Sequence, residues 1–320
     1  MRLFADDIDI TPIAGSIAWQ NTLAELATTL NFEVAKLDAQ HTRIYLPQEG
    51  SIVRLVMGNE EVLRGIILTV DDGADNSNKY VAVDFGFYLN KNAETYQFDN
   101  ADAGEAIMTV CRDFGIPIDS LCALPLTFSK IYLDKAASEV IWDILEQTTA
   151  VSGYAYNFDV TPRGLRVYRL GDFHAAPYFR LSGNTAPYNS VDLRGSVSHS
   201  MSIEDMKNSV KIVSGDEQGF THHSTAQDAE LIAKYGLLQT VEKVKDEESA
   251  NADAVARRKL AELSQKKESF SFEIIEAEDS YTRAGYELEV DGAKFIIEGA
   301  AHSIKNEVRY VKLDLRRAVV

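Results

Sequence analysis

Asn31-Phe32-Glu33-Val34, Gly50-Ser51-Ile52-Val53-Arg54-Leu55, Arg64-Gly65-Ile66-Ile67 and Tyr80-Val81-Ala82-Val83-Asp84-Phe85 follow one another along the chain, and the chain then writes the series again. The second copy runs Ser271-Phe272-Glu273-Ile274, Gly285-Tyr286-Glu287-Leu288-Glu289-Val290, Glu298-Gly299-Ala300-Ala301 and Tyr310-Val311-Lys312-Leu313-Asp314-Leu315. Four anchors keep their order, and the length differences sit in polar turns. Each anchor alternates with a period of two: Ile52/Arg54/Val56 stand against Val53/Leu55, and Glu287/Glu289 against Leu288/Val290, the rhythm of half-buried strands. Glycine before or within a strand marks a bulge or a close backbone approach that curls a sheet. Gly50 with Gly285, and Gly65 with Gly299, carry that expectation. The reading is two copies of one small antiparallel barrel or curled sheet.

Between the copies the period changes. Asp102 and Glu105 make a capping box, and Ile107, Val110, Cys111 and Phe114 follow at helical spacing until Gly115 and Pro117. A second helix is expected from Asp134 to Gly153, with Ala137, Ile141, Ile144, Leu145 and Thr148 on one face. A hairpin through Pro162-Arg163-Gly164 follows. Residues 182–200 read as a long polar connection. Further on come a strand over Asn208 to Ser214, a short helix within Thr225 to Tyr235, a strand over Leu237 to Val244 and a helix over 249–267. The fold class is therefore α+β, mainly β. Residues 1–98 form a first tube-like β-domain, 99–175 an α+β insert, and 176–320 a second tube-like β-domain.

Bulk properties narrow the function. With 320 residues the chain is long enough for roughly two to three domains. Its 32 Lys and Arg against 49 Asp and Glu give a net charge of −17, which disfavours nucleic-acid binding because phosphates must be met by cations. The start, Met1-Arg2-Leu3-Phe4-Ala5-Asp6-Asp7, turns acidic where a secretory leader needs an apolar core. No apolar run is long enough to span a bilayer, so membrane insertion is not expected. Cys111 and Cys122, not arranged as CxxC, fit a reduced cytoplasmic origin.

Few residues are candidates for chemistry. There is no GxxxxGK[ST], GxGxxG, GxSxG or HExxH. His222-His223 with Asp228 or Glu230 is a weak metal candidate, because adjacent histidines on a polar loop point in different directions. Asp71 to Asn76 has the look of a calcium loop but lacks the closing bidentate Glu. Glu60-Glu61 and Glu276/Glu278 have the form of hydrolase carboxylate pairs, though such pairs arise by chance in an acidic chain. Cys111 sits on an apolar helix face, and Trp19 and Trp142 read as packing residues. No catalytic, cofactor-binding or metal site is assigned. Lys305, Arg309, Lys312, Arg316 and Arg317 gather positive charge in the last strands, either one solvated face or a basic docking edge.

Several stretches together resemble a known family: Ile10-Thr11-Pro12-Ile13-Ala14-Gly15-Ser16-Ile17-Ala18-Trp19, Leu26-Ala27-Thr28-Thr29-Leu30-Asn31-Phe32, Arg64-Gly65-Ile66-Ile67, Ala301-His302-Ser303-Ile304 and the final strand from Val311 to Leu315. They resemble the baseplate hub proteins of contractile phage tails, with the shorter hubs of defective prophage particles and tailocins most alike. The resemblance covers essentially the whole chain. It implies two tube-like domains per chain and a homotrimer that presents six similar units to a hexameric tail tube protein while holding a trimeric central spike protein. It further implies contacts with tape-measure and baseplate wedge proteins, synthesis in the producing bacterium's cytoplasm, and incorporation into the baseplate of the released particle. Some relatives are labelled hydrolases, so a tail-associated peptidoglycan hydrolase or a wall-binding module stands as the alternative.

Overall fold

The computed structural model describes residues 1–36, 45–73, 76–181, 186–195, 197–216, 219–244 and 251–318. They form two compact units: Met1–Ser198 with Ser271–Val320, and His199–Phe270. The first unit opens with β1 (Arg2–Ala5), β2 (Ile8–Asp9), β3 (Ala14–Thr22), β4 (Thr29–Ala35), β5 (Ile52–Met57), β6 (Glu60–Asp71) and β7 (Ser77–Asp84). All pair antiparallel, and β4-β7-β6-β5 lie side by side in that order. Alternation buries Leu30, Phe32 and Val34 of β4 and Val53 and Leu55 of β5 in one apolar cluster with Trp19, Ile67 and Tyr80.

The insert is built from α1 (Gly86–Lys91), β8 (Ala93–Asp102), α2 (Ala103–Asp113), β9 (Ile118–Leu121), β10 (Thr127–Ala136), α3 (Ala137–Ser152), β11 (Tyr156–Thr161) and β12 (Gly164–Arg169). The Asp102 carboxylate caps α2, accepting from the N–H groups of Gly104 at 2.8 Å and Glu105 at 3.1 Å. Replacing it with Ala orphans two donors, so a loss of about 1 kcal/mol in chemical denaturation is expected. Gly153, at φ +77°, ends α3 in the left-handed conformation that glycine adopts without a Cβ penalty. Ile107, Val110 and Cys111 of α2 and Ile141, Ile144 and Leu145 of α3 interlock over Phe158, Val160, Leu165 and Val167. The strands β8 and β10, which the sequence reading passed over, pair as a separate ribbon. Three two-residue strands follow: β13 (His174–Ala175), β14 (Tyr178–Phe179) and β15 (Tyr188–Asn189).

The second unit takes in β16 (Ser198–Ser202) from His199 onward, then β17 (Ser209–Asp216), β18 (Gly219–Gln227), α4 (Ala229–Tyr235), β19 (Gln239–Lys243) and α5 (Ala252–Leu263). β17 is central, antiparallel to β18 and parallel to β19. Its Val210 and Ile212 are buried against Ala252 and Ala256 of α5, whose small side chains let the helix sit close. The expected helix over 249–267 is shorter, since Lys267 already opens a strand and 249–250 lie outside the described residues.

β20 (Lys267–Glu276) begins in the second unit and passes at Ser271 into the first, which continues with β21 (Glu287–Val290), β22 (Ala293–Lys305) and β23 (Val308–Arg317). β20 lies beside β23, β23 beside β22 and β22 beside β21, which repeats the β4-β7-β6-β5 order. The correspondence reaches single hydrogen bonds. Gly50 N–H donates to the Ile67 carbonyl at 2.9 Å and Ile67 N–H to Ser51 at 3.0 Å; Gly285 donates to Ile297 at 2.8 Å and Ile297 to Tyr286 at 2.9 Å. Both glycines stand at positive φ, +88° and +87°. The extra residue in the ladder falls at the same place, after Ile67 in β6 and after Ile297 in β22.

The register corrects part of the sequence alignment. Ile67 corresponds to Ile297, so Gly65 matches Phe295 and Gly299 matches Thr69. The Gly50–Gly285 match holds and the Gly65–Gly299 match does not. Neither repeat closes into a barrel among the described residues. β3 pairs on one side with β4 and on the other with β22, so the two repeats continue into one open, mainly β sheet.

Candidate functional site

Where the first repeat, the insert and the second repeat converge, the first unit buries a charged joint around Arg283. The Arg283 guanidinium lies 2.9 Å from Asp159 of β11, and it donates to the Val160 carbonyl at 3.2 Å and the Thr28 hydroxyl at 3.4 Å. Asp159 is also clasped by Arg166 of β12 in a two-pronged pair at 3.0 and 2.7 Å. Arg166 in turn stacks on Phe173 at 4.6 Å and on Tyr168 at 5.1 Å. Asn21 of β3 accepts from Ala284 N–H at 2.7 Å, one residue further along. Arg283 and Asp159 are both buried, so each needs the other: an ion removed from water without a partner is strongly disfavoured.

Asp84, at the end of β7, faces the same joint. Its carboxylate accepts from Thr28 N–H at 2.8 Å and Gly86 N–H at 2.9 Å. Burial pushes its pKa up to about 6, against the pull of those hydrogen bonds and of Arg283. A folded-state value above the ordinary carboxyl range favours the protonated form. The stability this contributes is present below pH ~4 and lost as pH rises through 6. Wild type should therefore lose about 2 kcal/mol relative to Asp84→Asn between pH 4.5 and 7.5, read from denaturation curves of both proteins.

A second buried cluster lies under the last strands. Arg309 of β23 meets Glu276 of β20 at 2.9 Å and donates to the Ala277 carbonyl at 2.6 Å and to the Ser280 carbonyl. Glu276 also accepts from Ser280 at 3.0 Å and Thr282 at 2.5 Å. Burial pushes this carboxyl up, opposed by Arg309. His302 of β22 stacks between Trp19, 4.6 Å away and nearly parallel, and Tyr281 at 5.8 Å. Burial drives the pKa of His302 well below that of a free imidazole, which keeps the ring neutral in the stack. Arg309 thus belongs neither to a solvated face nor to a basic docking edge. Arg316 pairs with Glu298 at 3.2 Å, while Lys305, Lys312 and Arg317 stay exposed.

The other sequence candidates take ordinary places. His222 meets the Thr225 hydroxyl and His223 the Ser214 hydroxyl, each at 2.7 Å, while Asp228 caps α4 through Leu231 N–H at 2.9 Å. Among the described residues no cluster of three His, Cys, Asp or Glu side chains is spaced to hold a metal ion. Asp71 ends β6, and Ala74 and Asp75 of the calcium-like loop lie outside the described residues. Glu61 is held by Arg64 at 2.5 Å, and Glu278 by the chain's amino terminus at 2.8 Å. Glu60 is exposed. Burial pushes the Cys111 thiol up to about 12, which makes it a packing group rather than a nucleophile. Trp142 packs against Phe158 at 4.8 Å. Arg283 had no signal in the sequence, because its partners lie in the insert and the first repeat.

What the fold offers a partner is edges and faces. The stretch of β6 beyond Ile67 pairs only with β7 among the described residues, whereas the matching stretch of β22 carries β3. On β10, Ile131 and Leu133 are exposed on the side away from the insert core. No helix among the described residues is long and apolar enough to cross a membrane.

The fold matches the 43 kDa tail protein of prophage MuSo2 from Shewanella oneidensis with a TM-score of 0.71, at 14% identity over 99% of this chain and 98% of that one. The chain belongs to the YQBQ-like family, whose model matches residues 17–316. It is 28% identical over 225 residues to YqbQ and 26% identical over 227 residues to the phage-like element PBSX protein XkdQ, both of Bacillus subtilis strain 168. Each match spans 70% of this chain and 65% of the relative.

Proposed function

We propose that this chain is the structural baseplate hub of a contractile tail or injection particle. It works as a homotrimer that adapts a hexameric tail tube to a trimeric central spike. The observation that carries this reading is the repeat: strand order, the paired Gly/Ile hydrogen bonds and the ladder bulge recur in the two halves of one chain. Two equivalent units per chain give three chains six of them, matching threefold to sixfold symmetry by closed rotation. The likeness to a prophage tail protein and to a protein of a phage-like element supports the same setting.

On this reading residues 1–98 and 176–320 are the two tube-like domains, and 99–175 is the insert between them. The tail tube and spike are the direct partners, with tape-measure and baseplate wedge proteins as neighbours. The protein is made in the producing cell's cytoplasm and ends in the baseplate. A net charge of −17 suits a channel that lets an acidic cargo pass without sticking. The role is non-catalytic: Glu61 and Glu276, the inner members of the two carboxylate pairs, are both held by arginines. Native mass spectrometry should find three copies per particle, alone or with tube and spike proteins. A monomer that persists with both partners present refutes the hub.

A further inference from the structure

Inside one chain, β3 closes the seam between the repeats by pairing with β22, from Thr22 opposite Gly299 to Ala18 opposite Ser303. The equivalent stretch of the first repeat, Thr69 to Asp71 at the end of β6, follows from matching Ile67 with Ile297. Its edge away from β7 has no strand partner among the described residues. Unpaired edges of this kind are templates for another strand.

The strand suited to that edge is also visible. β3 runs alongside β4 at the start of the first repeat, with Trp19 opposite Leu30. β16 runs alongside β20 at the start of the second: His199 stacks on Phe270 at 4.5 Å and the Ser200 hydroxyl meets that of Ser269 at 2.8 Å. Leu30, Phe32 and Val34 line up with Phe270, Phe272 and Ile274 by their alternation, which sets His199 in the place of Trp19. β16 is the last strand on its side of the sheet, as β3 would be without β22.

We infer that β16 of one copy of this chain pairs antiparallel with the Thr69–Asp71 edge of β6 in a second copy, repeating between chains what β3 and β22 do within one. The register follows by subtraction: Ser202 opposite Thr69, Met201 opposite Val70 and Ser200 opposite Asp71. Met201 opposite Val70 then takes the place of Asn21 opposite Ala300, a pair that is buried. That explains why Met201 is 62% exposed in the single chain while Val70 is half-buried at the margin of the first repeat's core. The inference rests on the ring-forming hub reading, and commits it to one pair of strands.

Opposed residues on paired strands bring Cβ atoms to roughly 4.5–5.5 Å, within reach of a disulfide after small adjustment. The test is Val70→Cys with Met201→Cys in a Cys122→Ser background, oxidised in the hub assembled alone or co-expressed with its tube and spike proteins. Conversion of the monomer band to a covalent trimer on a non-reducing gel is expected. Each single substitution, and the out-of-register pair Val70→Cys with Ser198→Cys, should stay monomeric on that gel. A trimer by native mass spectrometry that does not cross-link overturns the strand pairing and leaves the hub standing. A chain that stays monomeric in every preparation overturns both.

Discussion

Arg283→Ala is expected to lower the stability of the first unit by about 3–5 kcal/mol, the range for deleting one partner of a buried ion pair. The substitution leaves Asp159 with only Arg166, removes the cation facing Asp84 and orphans the Val160 carbonyl. Asp84 then loses one of the influences that hold its carboxyl down, so its titration should move further up. Trp142 lines the small enclosed gap beside Asn157, Phe158, Asp159 and Arg283, which makes its fluorescence a local reporter in a urea titration. A midpoint shift equivalent to under 1 kcal/mol would show that water reaches the joint and solvates the lone carboxylate.

Gly285→Ala should be as severe, and Gly50→Ala much milder, although the two glycines hold equivalent places. Both sit near φ +88°, where a Cβ adds about 1–2 kcal/mol of strain. Nothing lies within 4 Å of a Cβ at Gly50, whereas at Gly285 it would meet the Tyr168 hydroxyl at 2.2 Å and the ring at 3.0 Å. The ring cannot yield easily, since Asn157 donates to its hydroxyl at 3.0 Å and Arg166 covers its face. Overpacking of this kind adds roughly 1–3 kcal/mol to the strain. Adding Tyr168→Phe to Gly285→Ala should recover part of the loss, and adding it to Gly50→Ala should recover none. Equal destabilisation by the two alanines would mean that the close approach to Tyr168 relaxes at no cost.

The duplication was legible in the sequence because strands advertise themselves locally. Alternation in Val53/Leu55 and Leu288/Val290 and a glycine at the same offset before each need no distant information. Registering the halves was harder. Gly65 and Gly299 look alike on paper, but only Gly65 is demanded by its surroundings, with the Val83 carbonyl 2.0 Å from where a Cβ would stand. At Gly299 the nearest atom is 3.5 Å away, so that glycine marks no shared position. Arg309 was misplaced for a related reason. Its charge was counted with its neighbours along β23, while the group that fixes it, Glu276, comes from another strand. Arg283 could not be found at all, because nothing near it in sequence says that Asp159 and Thr28 will surround it.

The seam formed by β3 and β22 also sets a timetable. Trp19 leaves the ribosome long before its strand partner His302. At roughly 5–20 residues per second, β3 waits on the order of half a minute with one side unzipped. During synthesis that bare ladder, with its tryptophan, is open to other nascent chains, and contacts of such long sequence separation form slowly. Yield in the cell should therefore respond to translation speed and chaperone supply more than the stability of the finished protein suggests.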